Sequence, residues 1–251
     1  FVVHLGDIIH PTPEDSEYGA AAATAKRVFG RLTSPFHLLP GNHDVGDKPL
    51  EWMPADCITE NAVELYRGTF GADWGSFDHQ DCHFVWINSS LLNSEFPHEE
   101  EQRHWLEKDL SRASGRRIFF FTHYPLYLSH QHESSHYDNI DEPGRSWLCD
   151  LLVQHSVEAV FAGHVHNFFY NRLENTQCYV LPSVTNLRQD YAELFRIEPA
   201  DEYGRNDTEK LGFFMVDVFE DRHAPRFVHT LGSLAAEEGK RAGVRAIPSP
   251  V

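Results

Sequence analysis

Cysteine and positive charge are both scarce in this chain. Its 251 residues include 4 cysteines, Cys57, Cys82, Cys149 and Cys178, widely spaced and with no C-x-x-C pair. That spacing argues against a zinc finger or a thioredoxin-type motif and leaves reduced, buried thiols as the expectation. No apolar run reaches the roughly 18 residues a membrane helix needs. No basic segment followed by an apolar one opens the chain, so no signal peptide is legible and the cytoplasm is slightly favoured; residues ahead of Phe1 are where such a signal would sit. Lys and Arg number 21 against 38 Asp and Glu, a formal net charge of −17. So acidic a surface repels a nucleic-acid backbone and argues against a DNA or RNA binder or nuclease. It does not exclude a phosphate substrate, because a site holding divalent cations is locally positive whatever the global sign.

What the chain does have is histidine, 17 of them, in an otherwise ordinary globular composition with 41% hydrophobic and 13% aromatic residues. The length suits one large domain or two small ones. Phe1 to Leu5 reads as a strand, Ala20 to Leu32 as a helix, and Phe36 to Leu39 as a short strand. Asn61 to Phe70 is a helix, and Ser76 to Asn88 a hairpin turning near Gln80-Asp81. Glu99 to Ala113 is the clearest helix, with acidic residues in its first turn and Gln102, Trp105, Leu106, Asp109, Leu110 and Ala113 on a mostly apolar stripe. Trp105 and Trp147 belong to such stripes and read as core. Arg116 to Phe121 is a strand, Arg145 to His155 a helix and Val157 to Ala162 a strand. Cys178 to Leu181, Phe213 to Phe219 and Pro225 to Leu231 make the end of the chain β-rich. Strands alternating with helices and then a β-rich end indicate a layered α/β sandwich. Sites in such folds collect past the carboxyl ends of the strands.

Each strand end carries a metal-ligating residue type. After the first comes Asp7; after the second, Asn42 and His43 in Gly41-Asn42-His43-Asp44; later His123; then His164 and His166 in Gly163-His164-Val165-His166. In so histidine-rich a chain Gly-His-x-His alone would arise by chance in about one chain in ten, and surface histidines would explain it. Gly-Asn-His-Asp is far rarer, on the order of one in several hundred, and the ordered set rarer still. Aspartate, asparagine and histidine without cysteine suit Zn, Mn, Fe or Co. Asp7 can bridge two ions through its two oxygens, and His164 and His166 can then each face a different ion.

On Gly6-Asp7, Gly41-Asn42-His43-Asp44, His123 and Gly163-His164-Val165-His166, in that order over roughly residues 1 to 170, the sequence resembles the calcineurin-like metallophosphoesterase superfamily. That resemblance implies a four-layer α-β-β-α sandwich of two mixed β-sheets flanked by helices. It implies a single domain over 1–234 lacking its first strand, with a polar tail at 235–251. It also implies two divalent ions, one held by Asp7, Asn42, His123 and His164. The other takes the bridging Asp7, His166 and an Asp-x-His motif that should lie upstream of Gly6. The chain as read therefore begins partway through the fold, with the first metal site incomplete.

The implied reaction is hydrolysis of a small phosphate mono- or diester by a hydroxide held between two metals ~3.5–4 Å apart. Asp7 and His43 are the catalytic residues, His43 as proton donor or phosphate stabiliser. A departure falls at His10, where relatives carry an aspartate or, in purple acid phosphatases, a metal-binding tyrosine. His10 is read either as a substrate or metal contact or as a turn residue, and it argues against a tyrosinate-ligated purple enzyme. His130, His132, Arg145 and Arg205 are substrate candidates, with Arg188 beside them; solvated loop, helix-surface and turn positions are the alternatives for each. The rival to an enzyme is a scaffold that kept the sandwich for protein interaction and lost its metals.

Overall fold

The computed structural model describes residues 1–9, 15–50, 56–185 and 211–230. His10, Arg188, Arg205 and the tail at 235–251 lie outside them. Phe1–His164 and Phe169–Val180 form one unit. The described residues 165–168, 181–185 and 211–230 belong to a second.

In the first unit the chain order is β1 (Val2–His4), α1 (Asp15–Phe29), β2 (Phe36–Leu38), α2 (Asn42–Val45), α3 (Glu60–Phe70), β3 (Gly75–His79), β4 (Cys82–Trp86), α4 (Pro97–Arg112), β5 (Arg117–Thr122), α5 (Gly144–Gln154), β6 (Ala159–His166), β7 (Phe169–Leu173) and β8 (Thr176–Pro182). The last residues of β6 and β8 belong to the second unit. β9 (Gly212–Val218) and β10 (His223–His229) form an antiparallel hairpin in that second unit.

Six strands make one mixed sheet in the order β3-β4-β5-β6-β8-β7. The pairs β4-β5 and β5-β6 are parallel, and β3-β4 and β7-β8 antiparallel. β1 and β2 form a separate parallel pair in the register Val2↔Phe36, Val3↔His37 and His4↔Leu38. Strand alternation sorts their side chains onto opposite faces. His37 stacks on Phe77 at 3.9 Å, and Phe1 meets Phe77 and Phe84 edge-on at 4.8 Å. On the other face, Phe29 of α1 packs against Phe36 at 4.7 Å and His4 at 5.4 Å. The opposite side of the large sheet buries Ile118, Phe120 and Val160 with Leu106 and Leu110 of α4 and Leu148 and Leu152 of α5. The four layers are thus α1, the β1-β2 pair, the six-stranded sheet, and α4 with α5. This is the expected sandwich, although the second sheet is reduced to two strands in this unit.

Stacked rings fill the space between the sheets. Phe84 stacks with Phe119 at 5.3 Å, Phe121 with Phe161 at 5.5 Å and Phe161 with Tyr179 at 5.1 Å, a row running across four strands. Strands buried on both faces read as continuous apolar runs, and β5 and β6 do. α4 shows how a polar residue earns a core position. Its buried Gln102 accepts from the Asn88 N–H at 2.8 Å and donates to the Asn88 carbonyl at 3.1 Å, so the amide pairs the backbone just past β4.

Two differences from the sequence expectation matter for the site. β6 runs on through both histidines to His166 instead of stopping at Ala162. β7, which alternation did not reveal, follows it.

The segment between β5 and α5 is ordered by one carboxylate. Glu133 accepts from the Leu128 and Ser129 N–H groups at 2.8 Å, the Ser129 hydroxyl at 2.7 Å, the Asn139 amide at 2.9 Å and the His136 ring at 3.0 Å. Lys48, buried just after α2, reaches the same segment. Its ammonium pairs with Asp141 at 2.9 Å and donates to the His136 carbonyl at 2.7 Å and to the Asn139 carbonyl. Burial alone would raise the Glu133 carboxyl, but the donors from Asn139, Leu128 and Ser129 outweigh it and hold the group at about 2. Hence Glu133→Gln should cost about 2 kcal/mol or more at neutral pH, because an amide donor then faces donors. A carboxyl depressed on folding contributes fully above its ordinary value of 4.5 and loses that contribution as pH falls towards about 2. Urea denaturation of both proteins should therefore show a stability gap that narrows below about pH 4.5; a gap that stays constant would overturn this role.

Candidate metal centre

Four strand ends of the first unit converge. Asp7 follows β1, Asn42 and His43 open α2 just after β2, His123 follows β5, and His164 lies near the end of β6. Ligand atoms of Asp7, His123 and His164 all lie within 4.8 Å of one another. His123 Nε2 sits 3.4 Å from Asp7 Oδ1, 3.0 Å from Asn42 Oδ1 and 3.2 Å from His164 Nδ1. Asn42 Oδ1 lies 3.1 Å from His164 Nδ1.

Small residues make this approach possible. Gly6 has φ +94°, and a Cβ there would come within 2.7 Å of His123 Nδ1 and of the Gly41 Cα. At Gly41 a Cβ would collide with the Asp7 carboxylate and come within 2.7 Å of His123 Cε1. The two turns are also joined by buried Asp44. It accepts from the N–H groups of Ile8 at 3.0 Å, Ile9 at 3.2 Å and Gly41 at 2.8 Å. Burial, then the Asp7 charge, push its carboxyl up to about 7 against the pull of those donors.

Hydrogen bonds behind the ligands decide what their inner atoms are. His123 Nδ1 lies 2.6 Å from the Leu5 carbonyl, which can only accept. Nδ1 therefore carries the proton and Nε2 faces the cluster as a bare lone pair. The Asn42 amide nitrogen donates to Asp47 at 2.6 Å, with the Tyr137 hydroxyl at 3.4 Å, so its oxygen points inward. His164 turns Nε2 towards Asp138 Oδ1 at 3.4 Å and Nδ1 towards the cluster. Its ring is flanked by Tyr124 and Tyr137, with centroids 4.4 and 4.6 Å away. The His43 N–H donates to Asp7 Oδ1 at 3.2 Å, and the His43 ring is half-buried.

Asp7 Oδ1, Asn42 Oδ1 and His123 Nε2 thus face one another as acceptors with His164 Nδ1 beside them, a grouping that a cation among them would stabilise. Their spacing fits one. Atoms bound about 2.1 Å from a single ion lie roughly 3.0 Å apart at octahedral angles and 3.4 Å apart at tetrahedral ones. Oxygen and imidazole nitrogen without thiolate suit a borderline divalent ion.

Of the residues singled out in the sequence, the structure brings together Asp7, Asn42, His43, His123 and His164. His166 belongs to the second unit, at φ +60°. His130 and His132 are exposed on the loop ordered by Glu133. Arg145 is 2% exposed and acts inside the fold, donating to the Glu133 carbonyl at 2.6 Å and to Glu142 at 3.1 Å. That burial turns it away from solvent and makes it a strut of the loop rather than an open clamp for an anion. Asp47 and Asp138 escaped the sequence reading. Asp47 lies five residues after Asn42, and Asp138 sits in a polar loop without periodicity, so no pattern marks them. All four cysteines are free thiols, and Cys82, Cys149 and Cys178 are buried. Among the described residues no helix is long and apolar enough to cross a membrane.

The family model for calcineurin-like phosphoesterases matches residues 1–168. Serine/threonine-protein phosphatase CPPED1 of Bos taurus is 32% identical over 175 residues, covering 66% of this chain and 53% of that protein. Purple acid phosphatase 21 of Arabidopsis thaliana is 28% identical over 178 residues, covering 62% of this chain and 37% of the relative. The chain thus spans about half the length of the curated phosphatase relatives it matches first. Among solved structures, the purple acid phosphatase PPD1 from yellow lupin (Lupinus luteus) shares the fold at a TM-score of 0.50 and 21% identity, covering 71% of this chain and 36% of that one. GAP50, described as the anchor in the inner membrane complex of Plasmodium, shares it at 0.52 and 15%, covering 88% and 78%. The matched residues run from the first strand to just past the paired histidines, and on that match the chain belongs to the calcineurin-like phosphoesterase family.

Proposed function

We propose that this protein hydrolyses a small phosphate mono- or diester with the help of divalent cations. The observation that carries this reading is the cluster of inward-facing ligand-type atoms, Asp7 Oδ1, Asn42 Oδ1, His123 Nε2 and His164 Nδ1, at coordination spacing. These residues would hold one ion. When bound, such ions supply Lewis acidity and hydroxide near neutral pH.

The chain's own groups do the rest. The Asp7 carboxylate, fixed by the His43 N–H at 3.2 Å, holds its charge towards the ion position. Asn42 contributes a neutral oxygen, oriented by Asp47. His43, on the first turn of α2, is the candidate to give a proton to the leaving alcohol or to hydrogen-bond a phosphoryl oxygen. The overall charge of −17 favours small substrates over a polyanionic strand. Phosphatase and phosphodiesterase names among the relatives support the reaction class without choosing between monoester and diester.

The test is to load the full-length protein with Mn²⁺ or Zn²⁺ and assay p-nitrophenyl phosphate beside bis-p-nitrophenyl phosphate. Turnover of at least one should appear with metal and vanish with chelator. Protein that takes up no metal and turns over neither would be a scaffold, and the proposal would be wrong. His123→Ala should lower bound metal and turnover together. His43→Gln should lower kcat by about 10²–10⁴ with metal content unchanged; a matched loss of metal would make His43 a ligand or a structural group instead.

A further inference from the structure

Two imidazoles face the ion position, and different oxygen groups lie behind them. His123 leans on a neutral backbone carbonyl, that of Leu5, at 2.6 Å. His164 instead has a carboxylate behind it, with Nε2 lying 3.4 Å from Asp138 Oδ1. Both members of this pair are buried, with side chains 2% and 5% exposed.

A buried carboxylate is costly unless it meets donors or positive charge. Asp138 has the Nε2 edge of the His164 imidazole in front of it at 3.4 Å, and the buried Lys48 ammonium interacts with its charge. Its loop is closed on itself by Glu133 and tied to the segment after α2 by Lys48. The carboxylate is therefore delivered to His164 by an ordered arm.

We propose that Asp138 is the positioning residue of His164, accepting the Nε2 proton so that Nδ1 is held bare and more basic towards the cation. This inference rests on the metal-centre reading and adds to it a residue outside the ligand set. A carboxylate behind a ligating imidazole fixes its tautomer and orientation and strengthens it as a ligand. The 128–141 arm thereby becomes part of the metal site without touching the ion.

Histidine side-chain ¹⁵N NMR on the metal-free full-length protein at about pH 8, with His164 assigned by its loss in His164→Gln, should show the Nε2–H tautomer. Isothermal titration with Mn²⁺ or Zn²⁺ should then show affinity falling about 10–100-fold in Asp138→Ala. Asp138→Asn, whose Oδ1 still accepts, should recover much of that loss. A purely structural role would give no such rescue pattern and would leave the tautomer unconstrained. An Nδ1–H tautomer at His164, or Asp138→Ala binding metal as wild type does, would overturn the proposal and leave the metal centre standing. Wild-type protein that binds neither ion would overturn both. If Asp138→Ala fails to fold, the tautomer and the Asp138→Asn titration still decide.

Discussion

The hydrogen bond from His123 Nδ1 to the Leu5 carbonyl, at 2.6 Å, is the contact on which the rest of the site depends. It joins the β1-β2 pair to the six-stranded sheet at their common rim. It also settles, by the chemistry of a carbonyl, which imidazole nitrogen is bare. Without it, His123 could present Nε2–H to the cluster, and that proton would sit where a cation has to be. Gly163 supports the same junction. Its N–H donates to the His123 carbonyl at 3.0 Å, and a Cβ there would press on the Leu5 carbonyl oxygen at 3.2 Å. The glycine ahead of the paired histidines is thus needed for sheet-to-sheet approach.

What could be read from the sequence divides along a physical line. The candidate ligands were legible because each lies at or just past an apolar run, Asp7 and Asn42 in turns whose glycines let backbone pass close to a side chain. Strand and helix positions were legible where periodicity was strong, as in α4 and β5. The extension of β6 through His166 was not, because His164 and His166 sit at φ +65° and +60°, values that local preference assigns to turns. The residues behind the ligands were not legible either. Asp47 and Asp138 act through contacts across the fold, and nothing in a loop's polarity says which carboxylate faces which imidazole. Arg145 failed for the same reason: an arginine opening a helix looks like surface, and only the fold shows it turned inward to the Glu133 carbonyl.

Charge follows the same logic. The chain is strongly acidic, yet its site gathers one carboxylate, one amide oxygen and two imidazoles around a single position. The carboxylates nearest to it are each committed elsewhere. Asp44 takes three backbone donors, Asp47 takes the Asn42 amide and the Tyr124 hydroxyl, and Asp138 faces His164. Negative charge is therefore used for orientation around the site, and among the described residues of the cluster Asp7 presents it inward. Under the proposed function that division would leave an incoming phosphate with one anion to oppose it instead of several.

The backbone at this rim is in tension with its own preferences. Asp7 sits at φ +55° and His164 at +65°, with Gly6 at +94° between β1 and Asp7. Non-glycine residues in the left-handed region cost on the order of 1 kcal/mol each, less for aspartate and histidine than for branched residues. To that is added the crowding of the converging side chains. Under the proposed function a cation would offset both terms, since it would bind the folded arrangement and not the unfolded chain. A rim shaped this way is poor as a purely structural junction, where glycine-to-strand closure and apolar contact would do better. It would suit a chain whose folding and cation binding are coupled, as the proposed metal centre requires, and such coupling would bring strain and small residues to the same few positions.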